Sequence, residues 1–186
     1  HDSWTPHGEV VVGYMGRLAA EKQVTDLSVL ADLPGTRMVI IGDGPMREEL
    51  EARLPNAVFV GMKTGDDLPQ YLASLDLFVH PGELETFGQA IQEAQASGLA
   101  TIAPRRGGPI DLIEPSHNGW LYSPGDLADL RHRVVDLVGD DFKRASFGRT
   151  ARARVENRTW PQISDQLLDH YWAAIELGVK APVRIA

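Results

Sequence analysis

Val10-Val11-Val12-Gly13-Tyr14-Met15, followed at once by Gly16-Arg17-Leu18-Ala19-Ala20-Glu21-Lys22, is the stretch on which the fold turns. Its first six residues form a short β-branched run without polar alternation, as expected of a strand covered on both faces. Over 21–33 the pattern changes: apolar residues at Val24, Leu27, Leu30 and Leu33 predict an amphipathic helix, ended by Pro34-Gly35. The alternation then repeats along the chain. Strands are expected over 38–41, 58–60, 77–80, 100–103 and, weakly, 120–122. Helices are expected after Gly42-Asp43-Gly44-Pro45, with proline early where its missing N–H costs nothing, over 67–75, and over 88–97, where Gly98 stops the turn. Apolar strands alternating with helices predict an α/β fold: a doubly wound, Rossmann-like parallel sheet of about six strands. Further helices over 127–138, 141–155 and 160–177 follow it. The last carries an apolar stripe at Ile163, Leu167, Leu168, Tyr171, Trp172 and Ile175.

Composition narrows the function. A chain of 186 residues, 43% hydrophobic and 24% charged, suffices for one domain with an appended helix. A net charge of −8 argues against general nucleic-acid binding, which needs a basic face. Zero cysteines exclude disulfides, a thiolate nucleophile and a zinc-thiolate site, and fit a reducing cytosol. The six histidines show no i, i+4 pairing, so no metal site is expected. The apolar runs are far shorter than the roughly 20 residues a bilayer span requires. Residues 1–8, with Pro6 and Gly8, read as a linker, 9–158 as the Rossmann-like domain, and 159–186 as a helix and tail.

Two motifs carry chemistry. Gly16, Arg17 and Lys22 fall just after the first strand, near the expected start of the helix over 21–33, where backbone N–H groups favour an anion. Two cations there suit a diphosphate; exposed surface charges are the ordinary alternative. After the fourth strand, Glu85-Thr86-Phe87-Gly88-Gln89-Ala90-Ile91-Gln92-Glu93 sets two carboxylates around a helix N-terminus. Gly88 permits close backbone approach, and Glu93 lies five residues on, roughly 7 Å along the axis. Carboxylates accept sugar hydroxyls well, although Glu85 as a cap and Glu93 as a solvated charge account for the same residues. In a sheet ordered 3-2-1-4-5-6, strands one and four are neighbours and both motifs reach the crevice at their carboxyl ends. Val60 and Met62, after the third strand, could meet a base by main-chain hydrogen bonds, edge packing being the more ordinary alternative, and the Arg105-Arg106-Gly107-Gly108 turn opens on the same edge. No G-x-G-x-x-G follows strand one, no Walker A sequence occurs, and no two aspartates are separated by one residue. Arg17 and Lys22 would therefore have to neutralise a leaving diphosphate without a metal.

Gly-Arg-Leu-x-x-Glu-Lys at 16–22, the two glutamates spaced across Phe87-Gly88, and the Gly-Gly turn together resemble the retaining GT-B glycosyltransferases of family 4, from about Glu9 to the end. The resemblance implies the donor-binding half of a two-domain enzyme. Arg17 and Lys22 would bind the donor diphosphate. Glu85 with the backbone around Phe87, Gly88 and Gln89 would hold the transferred sugar, and Glu93 the ribose hydroxyls. Residues 42–44, 78–83 and 160–171 look most like GDP-mannose-dependent α-mannosyltransferases acting on glycolipids. The nucleotide sugar is then a substrate, with no cofactor or metal. The acceptor site and a catalytic histidine would lie in an amino-terminal domain onto which the last helix docks, and His80 is not given that role. A cytoplasmic enzyme, peripheral at the inner face of the membrane, is implied. A UDP-sugar transferase of the same family, a sugar-nucleotide epimerase, and a binding module inert by itself stay open. Gln23 departs from the pattern, since many relatives carry glycine there.

Overall fold

A computed structural model describes residues 1–180. Six strands, β1 (Val10–Met15), β2 (Thr36–Ile41), β3 (Val58–Gly61), β4 (Leu77–Val79), β5 (Ala100–Pro104) and β6 (Gly119–Tyr122), make one sheet in the order β3-β2-β1-β4-β5-β6. Every pairing is parallel. β1 pairs with β2 over its whole length, Val10 with Thr36 through Met15 with Ile41, and with β4 through Val12 and Leu77. The doubly wound α/β fold expected from the sequence is therefore present, with its topological switch between β1 and β4.

The helices are α1 (Arg47–Arg53), α2 (Asp67–Leu72), α3 (Gln89–Ala96), α4 (Pro109–Leu112), α5 (Leu127–Val138), α6 (Asp141–Val155) and α7 (Trp160–Lys180). The strand pleat sends alternate side chains to two cores. Val12, Tyr14, Ile40, Val79 and Ile102 meet Leu27, Leu50, Leu130 and Val134 on one face. Val11, Met15, Val39, Ile41 and Phe78 meet Leu72, Ile91 and Ala94 on the other. Asp126 and Asp140 cap α5 and α6 by accepting from the amides of Asp129 and Lys143.

Three elements differ from expectation. The helix predicted over 21–33 is instead two 3-10 segments, Ala20–Lys22 and Val24–Leu30, broken at Gln23, whose φ of 50° lies in the left-handed region. The apolar residues there recur every third position, the period of a 3-10 helix rather than an α-helix. Lys22 therefore ends a one-turn segment and does not begin a helix. α1 starts two residues after Pro45, at Arg47. The four-residue α4 was not expected, being too short to show a period. In α7 the stripe lies open: Leu168, Tyr171, Trp172 and Ile175 are each more than half exposed. Trp4, near the start of the chain, stacks against Tyr71 with ring centroids 5.9 Å apart.

Candidate functional site

The loops after β1, β2 and β3 are knitted by backbone hydrogen bonds. Gly16 N donates to Ile41 O (3.0 Å), Leu18 N to Asp43 O (2.9 Å) and Gly42 N to Gly61 O (2.9 Å). Gly42 is obligatory: its φ is 142°, and a Cβ would sit 1.9 Å from Gly16 O. These loops enclose a hollow of about 170 Å³ lined by Met15, Gly16, Arg17, Gly42, Met62 and Lys63. Gly16, Arg17 and Met62 thus come together as predicted. Met62 is 69% exposed, and Lys63 lies over the ring of Tyr71. Val60 lies partly buried against the apolar core and not in that hollow, because the β3 pleat turns it inward.

Across the switch point, Lys22 Nζ donates to Glu85 Oε2 at 3.0 Å, the Glu85 side chain being only 15% exposed. Glu85 Oε1 accepts from the amides of Gly88 (3.0 Å) and Phe87 (3.3 Å). Glu85 is therefore both a helix-end acceptor and the partner of Lys22. Partial burial raises its pKa, but the Gly88 amide, the Lys22 ammonium and the neighbouring His80 outweigh this and hold the carboxyl below its ordinary value. Gly88, with φ 70°, precedes α3 and lies against Leu112, which a Cβ would strike at 2.5 Å.

Arg17 is exposed and pairs with Glu21 four residues on, whereas Lys22 takes Glu85, so each cation has its own carboxylate partner. Gln89 Nε2 donates to Glu93 Oε1 at 2.9 Å. Glu93, Gln89 and Phe87 line a separate hollow with Val155, Trp160 and Ile163. The two carboxylates flank one helix end, but Glu93 lines that hollow and Glu85 does not. Among the described residues no three His, Asp or Glu side chains cluster as metal ligands, and no helix is long and apolar enough to cross a membrane.

Residues 2–154 match the family described as Glycosyl transferases group 1. The chain belongs to that family. It is 44% identical over 182 residues to a GDP-mannose-dependent alpha-mannosyltransferase of Corynebacterium glutamicum, covering 97% of this chain and 44% of the relative. An enzyme of the same name from Mycobacterium tuberculosis is 46% identical over 171 residues, covering 91% and 44%. The chain thus spans under half the length of these relatives. Anabaena Alr3699/HepE, solved in complex with UDP and glucose, superposes with a TM-score of 0.78 at 27% identity, covering 89% of this chain and 48% of that one.

In this group 1 transferase chain, four further residues shape the crevice. Gln23 Nε2 donates to Glu83 Oε1 (3.3 Å), and Glu83 N donates to Gln23 Oε1 (2.7 Å). Arg106 Nη1 donates to the other Glu83 oxygen at 2.8 Å. Gly108 N donates to Glu85 O at 2.8 Å, so the Gly-Gly turn supports the loop that carries Glu85. The sequence had drawn attention to Gln23, to the Arg105-Arg106-Gly107-Gly108 turn and to the 78–83 stretch, but not to their contacts, which join residues 23 to 60 positions apart and leave no local pattern.

Proposed function

We propose that this group 1 transferase chain is the donor-binding half of a retaining mannosyltransferase that takes mannose from GDP-mannose to a glycolipid acceptor. The observation that carries the proposal is the Lys22–Glu85 pair spanning the switch between β1 and β4, where doubly wound sheets bind ligands. Lys22 and Arg17 neutralise the leaving diphosphate, a charge that grows in the transition state. Removing one such donor typically costs 10²–10³ in turnover, about 2.7–4 kcal/mol. Glu85 orients the transferred sugar through its hydroxyls, with the Phe87, Gly88 and Gln89 backbone beside it, and Glu93 takes the ribose. Gly16 and Met62 form the nucleotide side, with Val60, its side chain turned into the core, left to offer only its main chain. The relatives at 44% and 46% identity, both named for GDP-mannose, support the choice of donor. The open face of α7 supports docking onto an acceptor-binding domain.

A UDP-sugar donor is the second reading, favoured by the structural neighbour solved with UDP and glucose. Calorimetric titration of the chain with GDP, UDP, GDP-mannose and UDP-glucose separates the two. Tighter GDP and GDP-mannose binding, weakened by Arg17→Ala and Glu93→Ala, is the expected result. Preference for UDP would overturn the donor, and no binding by folded chain would overturn the site.

A further inference from the structure

His80 stands in the middle of this crevice with no role assigned to it. It follows β4 directly, its backbone N–H donates to Ile102 O at 2.8 Å, and it is 2% exposed. Neither ring nitrogen finds a hydrogen-bond partner among the described residues. A neutral imidazole carries one donor and one acceptor, and leaving both unpaired in the interior is costly.

The ring is aimed at a specific atom. His80 Nε2 lies 3.7 Å from Glu85 Oε2, too far for a hydrogen bond, while Lys22 Nζ holds that same oxygen at 3.0 Å. The other oxygen, Oε1, is committed to the Phe87 and Gly88 amides. One carboxylate oxygen thus faces two donors, of which one is engaged and the other waits just out of range. Gly82 lies between the His80 ring and the Lys22 main chain: a Cβ there would come within 3.3 Å of both His80 Nε2 and Lys22 O. Burial, the largest influence, keeps the ring neutral; the Glu85 charge opposes that and the Lys22 charge adds to it. The waiting donor therefore carries no charge that would compete with Lys22 for an incoming anion.

We propose that His80 is a positioning residue of the donor site: when a nucleoside diphosphate draws Lys22 away, His80 Nε2–H moves onto Glu85 Oε2 and keeps that carboxylate in place for the sugar. The exchange presupposes the diphosphate role proposed above for Lys22. No proton changes owner; one N–H···O bond replaces another, and the diphosphate gains the ammonium. A neutral donor suits the task because a second cation would hold Glu85 permanently and repel Lys22.

The test is NMR of the His80 ring nitrogens in the ¹⁵N-labelled chain, assigned by loss of the signals in His80→Leu, which keeps an apolar side chain in the buried position. Adding GDP to saturation should leave the proton on Nε2, where the exchange requires it from the start, and shift the Nε2 resonance downfield as the bond forms. Lys22→Met should produce the same signature with no ligand, so this arm tests His80 even if GDP fails to bind. In titrations, His80→Leu should weaken GDP-mannose by roughly tenfold or more relative to GDP, as expected for a lost bond to a charged group. His80→Gln, which carries an N–H donor of similar reach, should restore most of that loss. An unchanged ring in Lys22→Met, a proton fixed on Nδ1, or wild-type GDP-mannose affinity in His80→Leu would overturn the assignment. Absent GDP binding together with the signature in Lys22→Met would reject the diphosphate role of Lys22 and leave the pairing of His80 with Glu85 supported.

Discussion

Gln23 and Glu83 hold each other through two hydrogen bonds, beside the pair formed by Lys22 and Glu85. Consecutive residues of the loop after β1 thus engage alternate residues of the loop after β4. The first tie has no charge on its Gln23 side and lies outside the proposed exchange of Lys22. Gln23 achieves it in a left-handed conformation that costs a non-glycine residue roughly 1–2 kcal/mol. Gln23→Gly should relieve that cost while losing both bonds, so its stability should stay within about 1 kcal/mol of wild type. Gln23→Ala keeps the strain without the bonds and should be less stable than Gln23→Gly. Both should bind the nucleotide sugar several-fold more weakly. Urea denaturation beside calorimetry checks the ordering; wild-type affinity in both variants would refute a positioning role.

Arg17 and Lys22 should separate by stability although both are proposed to serve the anion. Arg17 is exposed and paired only within its own turn, so Arg17→Ala should change stability by no more than about 0.5 kcal/mol. Lys22→Ala strands a carboxylate that is 15% exposed and should cost about 1 kcal/mol, a figure reduced by the partial exposure of Lys22 itself. In the enzyme that contains this chain, each should lower kcat by about 10²–10³. Denaturation curves and steady-state kinetics on the same pair of variants provide the check, and normal turnover in Lys22→Ala would remove it from the mechanism.

The sheet was legible because each strand is a nearly uninterrupted apolar run, and Val10–Met15 and Thr36–Ile41 lie in register as the order of elements requires. The two helices with capping aspartates, Leu127–Val138 and Asp141–Val155, were legible to the residue. The segment over 21–33 was misread because the strict three-residue spacing of Val24, Leu27, Leu30 and Leu33 was taken for the 3.6-residue period, and nothing local marks Gln23 as left-handed. At the site, Arg17, Lys22 and Glu85 could be placed at one crevice from topology alone. Their pairing could not: Lys22 takes Glu85, whereas Arg17 takes Glu21. Helical spacing put Glu93 near the same helix end, but only the path of α7 reveals that it lines a hollow from which Glu85 is absent.

Acid should destabilise the chain through His80. Burial lowers its pKa from 6.5 to about 4, with Glu85 opposing and Lys22 assisting. Between those values the unfolded chain binds a proton that the folded chain refuses, so the contribution is complete above pH 6.5 and is lost as pH falls toward 4. Its full extent is on the order of 3 kcal/mol. Glu85, held below its ordinary value, adds a separate loss that begins only near pH 4.5 and continues downward. His80→Leu should flatten the stability profile between pH 6.5 and 4.5 and leave the more acidic part. Denaturant midpoints across pH 4–8 check this; an unchanged slope in the variant would mean that the ring titrates normally.

Gly108 should prove sensitive for a reason that backbone dihedrals do not reveal. Its φ is −54°, open to any residue, yet a Cβ would lie 2.3 Å from Thr86 O and 2.7 Å from Thr86 C. Those are backbone atoms and cannot rotate aside, so the loop over 85–87 must move. Gly108 N also donates to Glu85 O, which ties that displacement directly to Glu85. Gly108→Ala should therefore misplace the carboxylate, costing about 1–3 kcal/mol of stability, the usual range for overpacking. Under the proposed role of Glu85, which must meet the sugar within a fraction of an ångström, the loss in transfer rate should be larger, about 10²-fold. Gly98→Ala is the control: its φ of 79° strains the backbone, but a Cβ there meets nothing within 4 Å and is remote from Glu85. It should lose stability of similar size with kcat retained. Equal kinetic losses in the two variants would mean that global destabilisation, and not displacement of Glu85, governs the rate.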